Sequence, residues 1–228
     1  MSIILSIETA TNVCSVSIQR DNELLGLKEL FTDKSHSGLL PVLIRDLLYQ
    51  CGYSVNDLSA VAVSKGPGSY TGLRIGTSAA KGLCYALKIP LISVNTLKAM
   101  ANGMIKYNIH EYLMCPMLDA RRMEVYCLLT DNESRVYEDT QALIMDSDTF
   151  TNLISDRNVL IFGPGSEKLK QIEQIPAKAV FIDQIRPSAV QIGHLAYQKF
   201  QQGLFEDLAY FEPFYLKEFI TRKPKAKF

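Results

Sequence analysis

The tetrapeptide Gly-Pro-Gly-Ser stands at residues 66–69 and again at 163–166, each time close behind a short apolar run that reads as a buried strand. Before the first copy, Ile3 to Ile7, Val13 to Ile18 and Leu24 to Phe31 read as strands. Apolar residues at helical spacing then mark a helix from Ser37 to Cys51, with Gly52 as its stop, and Ala60 to Ser64 read as a strand. A helix from about Tyr70 to Leu87 and a strand at Leu91 to Val94 follow. The second half repeats the order: strands near Tyr112 to Leu118, Glu124 to Leu129 and Arg135 to Ile144, a helix at Ser147 to Ser155, and a strand at Val159 to Phe162. A helix from about Ser166, a strand at Ala179 to Ile182 and a helix at Ser188 to Gln201 complete it. Each half ends its first strand on a carboxylate, Glu8 and Asp119. Short repeats arise by chance, but matching places in matching element orders favour duplication.

The expected fold is therefore α/β, with two tandem ribonuclease H-like lobes facing a cleft. Such duplicated lobes resemble the superfamily of actin, hexokinase and acetate kinase. The division expected is residues 1–103 for the first lobe and 104–210 for the second, with 211–228 a C-terminal segment packing back on the first. The 228 residues suffice for real cores, and 47% hydrophobic with 21% charged residues excludes a disordered chain.

Lys plus Arg and Asp plus Glu each number 24, so no net field draws in a polyanion and strong binding of nucleic acid by this chain alone is not expected. No apolar stretch approaches the roughly 18 residues that span a bilayer. The start, Met1 to Ile7, lacks a basic leader and runs into a strand, which places the chain in the cytoplasm as an expectation. The five scattered cysteines read as reduced core thiols, and with three histidines and no Cys-x-x-Cys pair no zinc motif is present.

The first glycine loop admits two readings. Glu8, Thr9, Gly66, Gly68 and Ser69 fit a vestigial anion loop at a helix N-terminus; the same residues fit a tight turn in which Ser69 or Thr71 caps the helix and Gly72 and Gly76 allow close packing. The Lys of a Walker loop is absent, since Thr71, Gly72 and Leu73 stand at the helix start. Glu8 and Asp119 would face one cleft, either for acid/base or metal work or as partners of loop N–H groups. Residues 118–126 fit a salt-bridged hairpin or an anion site. No Gly-x-Ser-x-Gly elbow occurs, His36 suits a helix cap and His194 an amphipathic helix. Lys217, Arg222, Lys223, Lys225 and Lys227 form a basic tail, solvated or touching RNA within a larger assembly.

Ile7 to Thr11, Ser35-His36-Ser37 with Leu39-Leu40-Pro41, Lys65 to Gly76, Ala80 to Leu83 and Asp119-Ala120-Arg121 together resemble the bacterial TsaB family, also called YeaZ. The likeness is firm to about residue 126 and thinner as far as Glu212 to Lys217. It implies a noncatalytic partner of the related TsaD subunit, which transfers threonylcarbamoyl from its adenylate to N6 of tRNA adenosine 37. Where TsaD carries a His-x-x-x-His metal motif, this chain has Thr96 and Met100, neither of which supplies an imidazole. The resemblance further implies a TsaD heterodimer joined by the ATPase TsaE, contact with tRNA through the complex, and ATP and metal handled by the partner subunits, with no cofactor here. A stand-alone phosphotransferase of the sugar-kinase type is the alternative, and a peptidase finds no catalytic residues. Helical spacing extends the apolar arcs of the two first-lobe helices, which nominates Leu39, Val42, Tyr49, Leu73, Gly76, Ala80 and Leu83 as a surface for TsaD, or for a second copy when TsaD is absent.

Overall fold

The computed structural model describes residues 1–31 and 36–217. Strands β1 (Ile3–Glu8), β2 (Val13–Arg20), β3 (Glu23–Phe31), β4 (Ala60–Gly66) and β5 (Leu91–Asn95) form one sheet; β6 (Leu113–Asp119), β7 (Glu124–Thr130), β8 (Val136–Ile144), β9 (Val159–Phe162) and β10 (Ala179–Ile182) form another. The helices are α1 (His36–Gln50), α2 (Tyr70–Leu87), α3 (Thr96–Met104), α4 (Ser147–Ile154) and α5 (Ala189–Gln201). The sheets run β3-β2-β1-β4-β5 and β8-β7-β6-β9-β10, so duplication holds at the level of topology. In each, two antiparallel pairings are followed by parallel ones. These are the two ribonuclease H-like lobes expected from the element order.

The first sheet is covered on both faces, which explains why β1 is apolar without alternation. Ile3, Leu5 and Ile7 join the core under α1 and α2, while Ile4 turns to the other side with Ala62, Ile92 and Val94. Each such side chain, fully removed from water, contributes roughly 1.5–3 kcal/mol. The second sheet repeats the division. Cys115, Met117 and Cys127 meet Phe150 and Leu153 of α4 on one face; Leu118, Leu128 and Phe162 lie on the other.

What covers those remaining faces departs from the sequence reading. No helix was expected between β5 and residue 103, yet α3 is there, capped by Asn95, whose Oδ1 accepts from the Lys98 N–H at 3.0 Å. Its Leu97, Met100, Ala101 and Met104 seal the inner face of the second sheet. Conversely α5, placed by the division at 103 in the second lobe, covers the first: Ile192 and Ala196 pack with Ile4, Ala62 and Ile92. The Ala189 N–H donates to Ser15 Oγ, and Ser17 Oγ donates to the Ala189 carbonyl, both at 2.9 Å. Gln19 Nε2 donates to the Val190 carbonyl at 3.1 Å. The lobes have exchanged a helix: α3 closes the inner face of the second sheet and α5 that of the first.

Residues 166–171, expected to begin an α-helix, form only a 3-10 helix, with Leu169 its sole buried apolar side chain. The chain after α5 returns to the first lobe. Glu206 bridges Leu91, Phe211 enters the first core, and the Phe214 N–H donates to the Lys65 carbonyl at 2.6 Å. It then crosses to the second lobe, where Leu216 packs beside the α3 core and Lys217 pairs with Glu124. Of the basic tail, Arg222, Lys223, Lys225 and Lys227 lie outside the described residues.

Candidate functional site

The first glycine loop is built around the β1–β2 turn. Thr9 Oγ1 donates to the Gly72 carbonyl at 2.8 Å, and the Ser69 N–H donates to the Ala10 carbonyl at 2.7 Å. Ser69 Oγ accepts from the Gly72 N–H at 3.3 Å and so caps α2. A Cβ at Gly68 would stand 2.6 Å from the Ala10 Cβ, and one at Gly72 or Gly76 would overlap the backbone or the hydroxyl of Thr9. The glycines therefore serve close approach of chain to chain. Thr9 and Ala10 occupy the space beside Gly68, Gly72 and Gly76.

Glu8 is wholly buried at the end of β1. Its Oε1 accepts from the Ala10 N–H at 2.5 Å, while Oε2 has no partner of good geometry. Burial pushes the carboxyl up to about 7, opposed by the Ala10 N–H and the nearby Ser64 hydroxyl and assisted by the charge of Glu29. Asp119 holds the equivalent place on β6 in a different environment. Its side chain is half-exposed, and Oδ1 accepts from the Arg121 N–H at 2.5 Å and from Lys168 Nζ at 2.7 Å. One carboxylate is sequestered and the other is tied into a hairpin ion pair, and neither lines the large cavity between the lobes.

The second glycine loop repeats the crowding. Gly163, at φ 102°, lies against the Met117 backbone, Gly165 lies against Leu118, and Ser166 Oγ donates to the Gly163 carbonyl at 2.8 Å. Thr96 and Met100 fall one turn apart on α3 and both are buried, Met100 among Leu118 and Phe162. Among the described residues, no three His, Cys, Asp or Glu side chains gather as a metal-binding group.

His36 Nε2 lies 2.7 Å from the Thr11 carbonyl and ties the start of α1 to the same turn; Ser35 lies outside the described residues. His194 Nδ1 lies 3.0 Å from Asn22 Oδ1. The cysteines are free thiols.

The nominated helix surface divides in two. Leu73, Gly76 and Ala80 face the chain's own core, Gly76 packing on Thr9, Ile7 and Val63, so these three are corrected from surface to interior. Leu39 and Leu83 are half-buried against the same core. Val42 (42%) and Tyr49 (84%) are exposed, as is Tyr85 (80%), which the sequence reading missed although it lies on α2 two residues beyond Leu83. Beside Val42, Pro41 and Leu40 border a shallow groove of about 300 Å³ completed by Arg74, Ile75 and Ala79 of α2. A Cβ at Gly82 would meet nothing within 4 Å.

A family model described as TsaD, tRNA N6-adenosine threonylcarbamoyltransferase, matches residues 19–226. The tRNA threonylcarbamoyladenosine biosynthesis protein TsaB of Bacillus subtilis is 33% identical over 78% of this chain and 79% of its own length. The chain belongs to this family, among the members named TsaB. The TsaB protein of Escherichia coli is 39% identical over 54% of this chain, a match that spans only about half (52%) of that relative. A crystal structure of a Pseudomonas aeruginosa protein described as similar to peptidase YeaZ superposes with a TM-score of 0.82 at 25% identity, covering 95% of this chain and all (100%) of that one. The duplicated fold and the family expected from the glycine motifs are thus both found.

Proposed function

We infer that this chain is a noncatalytic subunit in the formation of N6-threonylcarbamoyladenosine in tRNA, working beside the related TsaD subunit. Family membership supports the pathway, and one observation carries the noncatalytic part: the glycine loops that could cradle an anion are packed against the chain's own backbone at Thr9, Ala10, Met117 and Leu118. At the two places where the TsaD family holds its metal ligands, a hydroxyl and a thioether sit buried on α3, and Met100 contributes packing.

Its contribution is then a surface. Val42, Tyr49 and Tyr85, with Pro41 and the open side of Gly82, offer exposed apolar area on two adjacent helices, and small residues there let a partner helix come close. TsaD is the partner in this reading, with a second copy of the chain taking its place when TsaD is absent. TsaE, ATP, the metal and tRNA are engaged through the complex.

The test is reconstitution from purified TsaD, TsaE, this chain, tRNA and threonylcarbamoyl adenylate, with each protein omitted in turn and the modified nucleoside measured by mass spectrometry. Omission of this chain is expected to abolish turnover, and the chain alone to give none. Modification by the chain alone, or undiminished modification without it, overturns the reading.

A further inference from the structure

A cavity of about 490 Å³ lies between the C-terminal ends of β4 and β5 on one side and the β7–β8 edge on the other, with the end of α5 beside it. Sites for small organic ligands span about 300–1,000 Å³. Glu8, Ser69 and Asp119 take no part in its lining.

Three lysines from three elements converge on it: Lys65 of β4, Lys98 of α3 and Lys199 of α5. None of them forms an ion pair among the described residues. Lys199 is half-buried and fixed, its Nζ donating to the Ser93 carbonyl at 2.7 Å. Burial, and then the charges of Lys65 and Lys98, lower its proton affinity against the opposing pull of Glu206. Lys199 therefore feels the other two ammonium groups, and Asp139 is the one carboxylate on the lining. Gathering like charge around a concavity is unfavourable unless an anion is to be bound there.

The cavity is also shaped for more than a bare ion. Leu128, Leu195 and Phe214 supply apolar wall. Asn95 Nδ2 donates to Thr140 Oγ1 at 3.1 Å, so the two lobes are fastened across the site, and Gln198 and Gln202 add amide groups at its rim.

We propose that this cavity binds a small organic phosphate of nucleotide size, with the phosphate held by Lys65, Lys98 and Lys199 and the organic part against Leu128, Leu195 and Phe214. A free small molecule fits better than an RNA strand, because the chain has no net charge and the three lysines line one concavity.

Isothermal titration of the full chain with AMP, inorganic phosphate and adenosine tests this. AMP is expected to bind saturably, with adenosine at least about tenfold weaker for want of the charge-assisted bonds. Lys98→Glu, at an exposed position, is expected to weaken AMP by about tenfold or more while leaving thermal unfolding unchanged. Should that variant unfold, Lys98→Gln, together with the loss of wild-type affinity on raising salt, gives the same reading. No AMP binding at millimolar concentration, adenosine binding as tightly as AMP, or AMP binding as tightly to the Lys98 variants overturns the proposal. So does loss of AMP binding in Ser69→Ala with Lys98→Gln unaffected, which moves the phosphate to the glycine loop. A short oligoribonucleotide competing more tightly than AMP assigns the lysines to RNA and overturns it as well.

Discussion

The Thr9 hydroxyl donates to the Gly72 carbonyl at 2.8 Å, and this bond joins the β1–β2 turn to the first turn of α2 across the place where an anion loop would open. The approach is possible only because residues 68, 72 and 76 lack side chains. Gly72→Ala is expected to destabilise the chain by about 1–3 kcal/mol or more through overpacking. Gly82→Ala, on the open side of the same helix, is expected to stabilise it by about 0.5–1 kcal/mol. Urea midpoints measure both; equal midpoints for the two variants would show that the turn yields without cost.

Glu8 gives the fold a proton linkage. The folded chain keeps the Glu8 proton to about pH 7, whereas a free carboxyl of this kind loses it near 4.5. Between those values the folded state binds more protons, so this contribution is complete below about pH 4.5, declines as pH rises, and is gone above about 7. Its full size is about 3 kcal/mol. His194, whose proton affinity is lowered by burial and by Lys106, acts in the opposite sense, so the informative quantity is the difference between the parent and Glu8→Gln. That difference should change with pH across the window; a constant difference from pH 4 to 8 would mean that Glu8 is charged in the folded state.

The helix surface separates interior from interface by burial. Val42→Glu places a charge at an exposed site, and the chain is expected to stay folded while its affinity for TsaD falls by about tenfold or more. Leu73→Glu, wholly buried, is expected to unfold the chain instead. Pull-down together with circular dichroism distinguishes the two. Undiminished TsaD binding by folded Val42→Glu and Tyr85→Glu variants removes this face from consideration.

Local signals in the sequence carried far. The strand pattern, the caps and the repeated Gly-Pro-Gly-Ser are properties of neighbours in the chain, and they located the sheets and both crowded loops. Choices made by distant segments were not legible. In β2 the polar residues Ser15, Ser17 and Gln19 alternate with apolar ones as in a strand with a solvated face, yet all three are buried, because α5 arrives some 170 positions later to cover them. On α2 a wide apolar arc does not say which side meets the sheet, so Leu73 and Ala80 were nominated for a surface they do not share. The α3 helix did have a signal, Leu97, Met100, Ala101 and Met104 following an Asn cap, but the helix is only nine residues long, too short for helical spacing to stand out.

The helix exchange predicts how the chain can be divided. Residues 1–103 contain every strand of the first sheet, but the face formed by Ile4, Ala62, Ile92 and Val94 is closed by Ile192 and Ala196 of α5. Without α5, Ser15, Ser17 and Gln19 also lose their partners at Ala189 and Val190. A fragment of residues 1–103 is therefore expected to expose an apolar sheet face and to aggregate or lack fixed tertiary packing, seen as dye binding and a weak near-ultraviolet circular dichroism signal. Within the whole chain, Gly193→Val tests the same contact, since a Cβ there would overlap the Gln19 side chain. Loss of about 1–3 kcal/mol is expected, with faster hydrogen exchange in β1 and β2. A cooperative unfolding transition in the 1–103 fragment, or unaltered exchange in Gly193→Val, would show that the first lobe does not depend on the helix it receives from the second half.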